Sequence, residues 1–208
     1  MRLHTVHPHW MAPAIRAACL VLVTGWSGIL SPLAFAQQQR QYDYRVLATN
    51  RTSTAEKEMN EAADAGFVFA AAMGGETGFG GNEVVVIMMK EPSVADAQKR
   101  SYKLLATSRT STMQKEMQQL GDEGFDFRSQ TVFSSTFGGK VVVVIMERTP
   151  GQAAKRYEFR LLATSRTSTM QEELREAGDA GFRLVGTTVA KTSLGGAELV
   201  SIMRKDPE

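Results

Sequence analysis

The sequence predicts an α+β fold of three tandem β-α-β-β units packed together, with antiparallel hairpins and the helices on one side. Three observations predict it. The run Leu104-Leu105-Ala106-Thr107-Ser108-Arg109-Thr110-Ser111-Thr112-Met113-Gln114 recurs unchanged as Leu161 to Gln171, and a looser copy begins at Leu47. Every copy carries a Gly-Phe pair (Gly66-Phe67, Gly124-Phe125, Gly181-Phe182) and a Gly-Gly pair (Gly80-Gly81, Gly138-Gly139, Gly195-Gly196). Every copy also closes on a proline, and Pro92, Pro150 and Pro207 are 58 and 57 residues apart. The expected units are 37–92, 93–150 and 151–208.

The opening segments Tyr42-Asp43-Tyr44-Arg45-Val46 and Tyr157-Glu158-Phe159-Arg160-Leu161 alternate apolar and polar residues, the period of a half-buried strand. Next come stripes stepping by four and three: Ala55, Met59, Ala62; Met113, Met117, Leu120; Met170, Leu174, Ala177. Each is one face of a short helix. Ser53 with Glu56, Ser111 with Gln114 and Ser168 with Gln171 have the spacing of a capping box at its start. Gly66, Gly124 and Gly181 supply the left-handed residue at its end, with the following Phe folding back on the last turn. A second strand is expected to begin at that Phe, with Phe67/Phe69, Phe125/Phe127 and Phe182/Leu184 on a common face.

The third strand is the most apolar part: Val84 to Met89, Val141 to Met146, and Leu199 to Met203. A continuous apolar run implies burial on both faces and hence a central place. The Gly-Gly pair before it marks a hairpin loop, and Gly74 to Gly81, which lies between two strands, reads as a longer hairpin tip. Phosphate cradles precede a helix. A unit of about 50 residues is near the lower limit for stability alone, so the three should shelter one another, as one continuous sheet or as a three-fold arrangement.

An aromatic-x-aromatic first strand, a short helix ending Gly-aromatic, and a hairpin ending in a basic residue then Pro resemble small bacterial β-α-β-β domain-of-unknown-function families. Those families usually show Gly-Trp where this chain has Gly-Phe, and often occur as one copy per chain. The resemblance spans Tyr42 to Pro207 and implies the fold with no assigned activity.

Residues 1–36 read as an export signal: Arg2 and Arg16, an apolar stretch from about Ala17 to Leu30, and Ala34-Phe35-Ala36 before the cut. Met11 is an alternative start. The expected location is periplasmic or secreted, with no stable membrane insertion, because the apolar stretch is short of the ~20 residues of a span. All three histidines, both tryptophans and Cys19 fall in this segment. Its removal would exclude disulfides, Cys or His zinc sites, thiol nucleophiles and imidazole bases. The 24 basic residues include Arg2 and Arg16; without them Lys and Arg equal the 22 Asp and Glu, so the mature chain is neutral. That argues against nucleic acid as a partner.

The best candidate contact is the repeated strand-to-helix turn: Arg51, Thr52, Ser53 and Thr54; Arg109, Thr110, Ser111 and Thr112; Arg166, Thr167, Ser168 and Thr169. Hydroxyls and a guanidinium at a helix N-terminus suit a phosphate, sulfate or carboxylate. The competing reading makes Ser a cap and Arg a solvated charge or a partner for a neighbouring unit's acids. The methionines read as core filling in preference to Cu(I) ligands, and no cofactor or metal is expected. Glu56/Glu58 and Glu172/Glu173 read as solvated helix faces. The expected function is a non-catalytic exported binding or scaffolding protein, whose partner is another protein or a small anionic ligand. The alternative is a hydrolase acting on an exported polymer through paired carboxylates.

Overall fold

The computed structural model describes residues 41–76, 81–90, 99–134, 140–151, 155–191 and 196–206. The expected signal segment, Pro92, Pro207, and all or one residue of each Gly-Gly pair lie outside them. The first unit is β1 (Asp43–Thr49), α1 (Thr52–Asp64), β2 (Val68–Glu76) and β3 (Asn82–Lys90). The second is β4 (Ser101–Thr107), α2 (Thr110–Asp122), β5 (Asp126–Ser134) and β6 (Lys140–Arg148). The third is β7 (Glu158–Thr164), α3 (Thr167–Asp179), β8 (Arg183–Lys191) and β9 (Ala197–Lys205). Each unit is an antiparallel three-stranded sheet with the apolar third strand in the middle, ordered β1-β3-β2, β4-β6-β5 and β7-β9-β8. The second strand starts one residue after the phenylalanine that the sequence suggested.

The sheets are separate, neither one continuous sheet nor a closed three-fold arrangement. They stack in chain order: α1 packs on β4, α2 on β7, β2 on β5 and β5 on β8. The contact that α1 makes with β4 has no counterpart of similar extent between α3 and β1.

α1 and α2 bury the predicted stripe, with Ala55, Met59 and Ala62 fully inside in α1, and Met113, Met117 and Leu120 inside in α2; in α3 Met170 and Ala177 are buried and Leu174 is half-buried. Its end is a Schellman motif. Gly66, Gly124 and Gly181 have φ of 88°, 87° and 85°, and the next Phe N–H donates back to Ala62, Leu120 or Ala177 at 3.0, 2.9 and 2.9 Å. The Phe ring is then covered by a guanidinium, Arg45 over Phe67 at 4.6 Å, Arg148 over Phe125 at 4.8 Å and Arg160 over Phe182 at 4.7 Å.

The helix start corrects the capping-box expectation. The N-cap residues are Arg51, Arg109 and Arg166, none with a side-chain cap bond, and Ser53, Ser111 and Ser168 lie inside the first turn. Glu56 and Gln114 do not reach back to the helix start because both are hydrogen-bonded to the following unit.

Two cores lie between units. One joins α1 and the helix-bearing face of the first sheet (Met59, Val84, Val86) to the opposite, back face of the second (Tyr102, Val143, Ile145). The other joins Met113, Met117, Val142, Val144 and Met146 to Phe159, Val200 and Ile202 on the back of the third sheet. Both faces of β6 are therefore buried from Val142 to Glu147. In β3 the front residues Val84, Val86 and Met88 are buried, while Val85, Ile87 and Met89 on the back are half-exposed. Methionine is thus not uniformly core: Met73, also on the first unit, is 56% exposed.

Unit contact is close enough to require glycine at one helical position. A Cβ on Gly121 would lie 2.4 Å from the Tyr157 carbonyl oxygen, whose residue also donates its N–H to the Gly121 carbonyl at 3.1 Å. The equivalent Gly178 in α3 has nothing within 4 Å of such a Cβ. Gly121→Ala is expected to destabilise the chain by about 1–3 kcal/mol through overlap, whereas Gly178→Ala in dilute protein should gain up to about 1 kcal/mol of helix propensity. Denaturant unfolding of the two variants side by side checks the contrast.

Candidate functional site

In all three turns the last strand residue shapes the backbone. Thr49, Thr107 and Thr164 hydroxyls accept from the N–H of Arg51, Arg109 and Arg166 at 3.2, 3.1 and 3.3 Å. The arginine then sits in extended geometry and the helix begins at Thr52, Thr110 or Thr167. Arg51, Arg109 and Arg166 are exposed, as are Ser53, Ser111, Thr167 and Ser168, while Thr52, Thr54, Thr110, Thr112 and Thr169 are half-buried. No acidic residue occupies the first turn of α1, α2 or α3. Among the described residues these arginines form no ion pair with a neighbouring unit's acids, and no hydrogen bond joins one turn to another. The three donor clusters are similar, and the second borders the third unit, where Arg109 and Thr110 line a hollow with Leu161, Ala190 and Val200. A depression of about 490 Å³ beside the second, lined by Ser111, Thr112, Lys115, Glu116 and Gln119, opens on the outer face of α2.

In a second set of polar residues, Glu56 and Gln114 have roles other than those their spacing suggested, and Asn60 and Gln118 carry no signal that sequence reasoning picked out. The first strand of each unit is a sheet edge, whose outward N–H and C=O groups need partners. For β4 and β7 the helix of the preceding unit supplies them. Asn60 Nδ2 donates to the Tyr102 carbonyl and Asn60 Oδ1 accepts from the Tyr102 N–H, both at 3.0 Å. Glu56 accepts from the Leu104 N–H at 3.0 Å and from Lys103 Nζ at 2.9 Å, so it is not the solvated helix-face residue expected. In the next unit Gln114 donates to the Phe159 carbonyl at 2.7 Å and accepts from the Leu161 N–H at 2.6 Å. Gln118 accepts from the Phe159 N–H at 3.0 Å. The i, i+4 spacing of Glu56/Asn60 and Gln114/Gln118 was the available signal, since it puts both side chains on one helix flank.

Charged groups collect where the second and third units meet. A cleft of about 340 Å³ is lined by Asp126, Arg128, Glu147, Arg148, Lys155 and Tyr157 among others. Glu147, only 3% exposed, accepts through Oε1 from Arg100 and Arg128, each at 2.5 Å. Asp126 accepts from the buried Arg204, which also pairs with Asp206 and stacks 4.9 Å over Tyr157. Burial, and then the Asp126 charge, pushes the Tyr157 phenol up. Of the three carboxylates lining the cleft, Asp126 and Glu147 are engaged by arginines, and the third, Glu123, is exposed. Among the described residues no group of three or more His, Cys, Asp or Glu is placed to hold a metal ion, and no helix is long and apolar enough to cross a membrane.

No family model matches the chain, and no curated protein or solved structure is detectably similar to it.

Tyr102, at the joint of the first two units, is almost fully buried, and its hydroxyl accepts from the Phe69 N–H at 2.9 Å. Burial, and secondarily the Glu147 carboxylate, raises its pKa far above the ordinary tyrosine value. The folded value exceeds the unfolded one, so this contribution to stability is complete below about pH 10 and declines as pH rises toward the folded value. Tyr102→Phe, which places the residue found at Phe159, should make the alkaline loss of stability shallower while costing about 1 kcal/mol at neutral pH for the lost acceptor. Urea unfolding across a pH series is the measurement.

Proposed function

We propose that this chain is an exported, non-catalytic binding or scaffolding protein whose stacked units present the Arg-Thr-Ser-Thr turns to an anionic ligand or an acidic partner surface. The observation that supports it is that the fold does not consume these groups. The arginines are exposed and without ion pairs among the described residues, and no side chain caps the helix N-termini beneath them. Free amides, hydroxyls and a guanidinium together favour a negatively charged group. Three such clusters on one chain would reinforce one another against a partner that spans them.

The alternative, a carboxylate hydrolase, would draw on Asp126 and Glu147, which line one cleft. Asp126 pairs with Arg204 across the joint to the third unit, and Glu147 pairs with Arg100 and Arg128 of its own unit.

Replacing Arg51, Arg109 and Arg166 together by alanine should change stability by no more than about 0.5 kcal/mol per site and abolish capture of the ligand or partner. The checks are thermal unfolding, titration with inorganic phosphate and sulfate, and pull-down from the exported fraction. A large stability loss would assign the arginines to structure instead.

A further inference from the structure

The two internal joints define a front face, built on a unit's helix and second strand, and a back face, built on the first strand and reverse side of the sheet that seats on it. The stack leaves one of each unused: the back of the first unit and the front of the third. The exposed large hydrophobic residues fall on these two surfaces. Tyr44 is 58% exposed and Val46 63%, whereas Tyr102 and Phe159, which stand at the Tyr44 position in the other units, are 1% and 4% exposed. At the other end Leu184 is 48% exposed and Val189 60%. Leu184 occupies the place of Phe127, whose ring lies against Gly186 of the following unit, and Val189 that of Gly74, which lies against the Val132 backbone of the unit after it.

The free front face also keeps the polar and steric features of a joint. Gln171 stands where Gln114 clamps the Phe159 carbonyl and Leu161 N–H, yet it is exposed. Gly178 stands where Gly121 admits the Tyr157 carbonyl, yet nothing approaches it. Glycine at a helical site costs about 1 kcal/mol relative to alanine, and within α3 no contact accounts for it. Arg175 differs from Asn60 and Gln118, since it can donate to a strand carbonyl but not accept from a strand N–H.

We propose that these faces are occupied by second copies of this chain, joined head to tail: the back of the first sheet of one copy seats on α3 and β8 of another, Gln171 clamping the edge of β1 at Tyr44 and Val46. The internal joints are the template for this contact, and they are heterologous. Repeated between chains, such a contact gives a ring if its rotation closes and an open filament if it does not. The proposal is independent of the Arg-Thr-Ser-Thr turns.

The test is sedimentation of the whole chain over a concentration series, with two variants altered only at exposed positions. Tyr44→Lys with Val46→Glu blocks the back face, and Leu184→Lys with Val189→Glu blocks the front. Expected results are wild-type mass rising in multiples of the chain with concentration, each variant alone monomeric with unchanged circular dichroism and Tm, and an equimolar mixture stopping at a one-to-one dimer through the remaining intact pair of faces. The Arg51, Arg109, Arg166 triple alanine variant should assemble like wild type. Any of three results overturns the proposal: a wild-type chain monomeric at every concentration, association that survives both pairs of substitutions, or association lost only in the back-face variant. The last would indicate pairing of two β1 edges.

Discussion

The structure depends on the edge of one strand being held by the helix of the preceding unit. An antiparallel sheet of three strands has two faces and two edges, and a single 13-residue helix covers only one face. In the second and third units the remaining face and the first-strand edge are satisfied from outside. The apolar stripe of each helix serves its own sheet, and the adjacent flank, Glu56 and Asn60 or Gln114 and Gln118, serves the next. Each bond is worth on the order of 1 kcal/mol when made, but a strand amide buried without it would cost about 1–3 kcal/mol. The same helix thus fixes which residues of the next strand oppose it, and so fixes how the sheets stack.

Much of the fold was legible because it is local. Glycine before phenylalanine at the end of a 3.6-residue pattern can hardly be anything but a helix stop, and Val141 to Met146 declares a strand covered on both sides. What failed was an ambiguity between near and distant partners. A Ser followed three residues later by Glu or Gln fits a cap, and the same Glu or Gln fits a clamp on a strand 45 to 48 residues away. Sequence spacing sees only the first. The buried Glu147 and Arg204 were equally hidden, because a charge at the end of an apolar run looks like the end of burial until the neighbouring unit is in place. The turns were found by sequence as repeated identities, but that their arginines form no ion pair among the described residues is a three-dimensional fact.

The three units are alike in backbone and unlike in surroundings. The second is covered on both sides, the first lacks a neighbour for its back and the third lacks one for its front. Exposure follows this asymmetry closely: residues such as Tyr44 and Tyr102 have the same type and place in their sheets but opposite fates. The donor clusters at the turns recur once per unit but share the asymmetry in part: Thr52 and Thr110 are half-buried where Thr167 is exposed, and Arg109 and Thr110 line a hollow together with Leu161, Ala190 and Val200 of the third unit.

The site shared by Met89, Glu147 and Arg204, one on each central strand, is apolar in the first unit, acidic in the second and basic in the third. Arg204 meets Asp126 of the second unit, and the first unit has Val68 where that aspartate stands. Were the third copy to fold onto the first by mistake, a nearly buried guanidinium would lose its acidic partner across the contact, a fault that burial makes expensive. Tandem copies sharing eleven consecutive residues run a risk of pairing out of order as the chain collapses. This ion pair gives a newly made polypeptide a way to reject the shuffled arrangement.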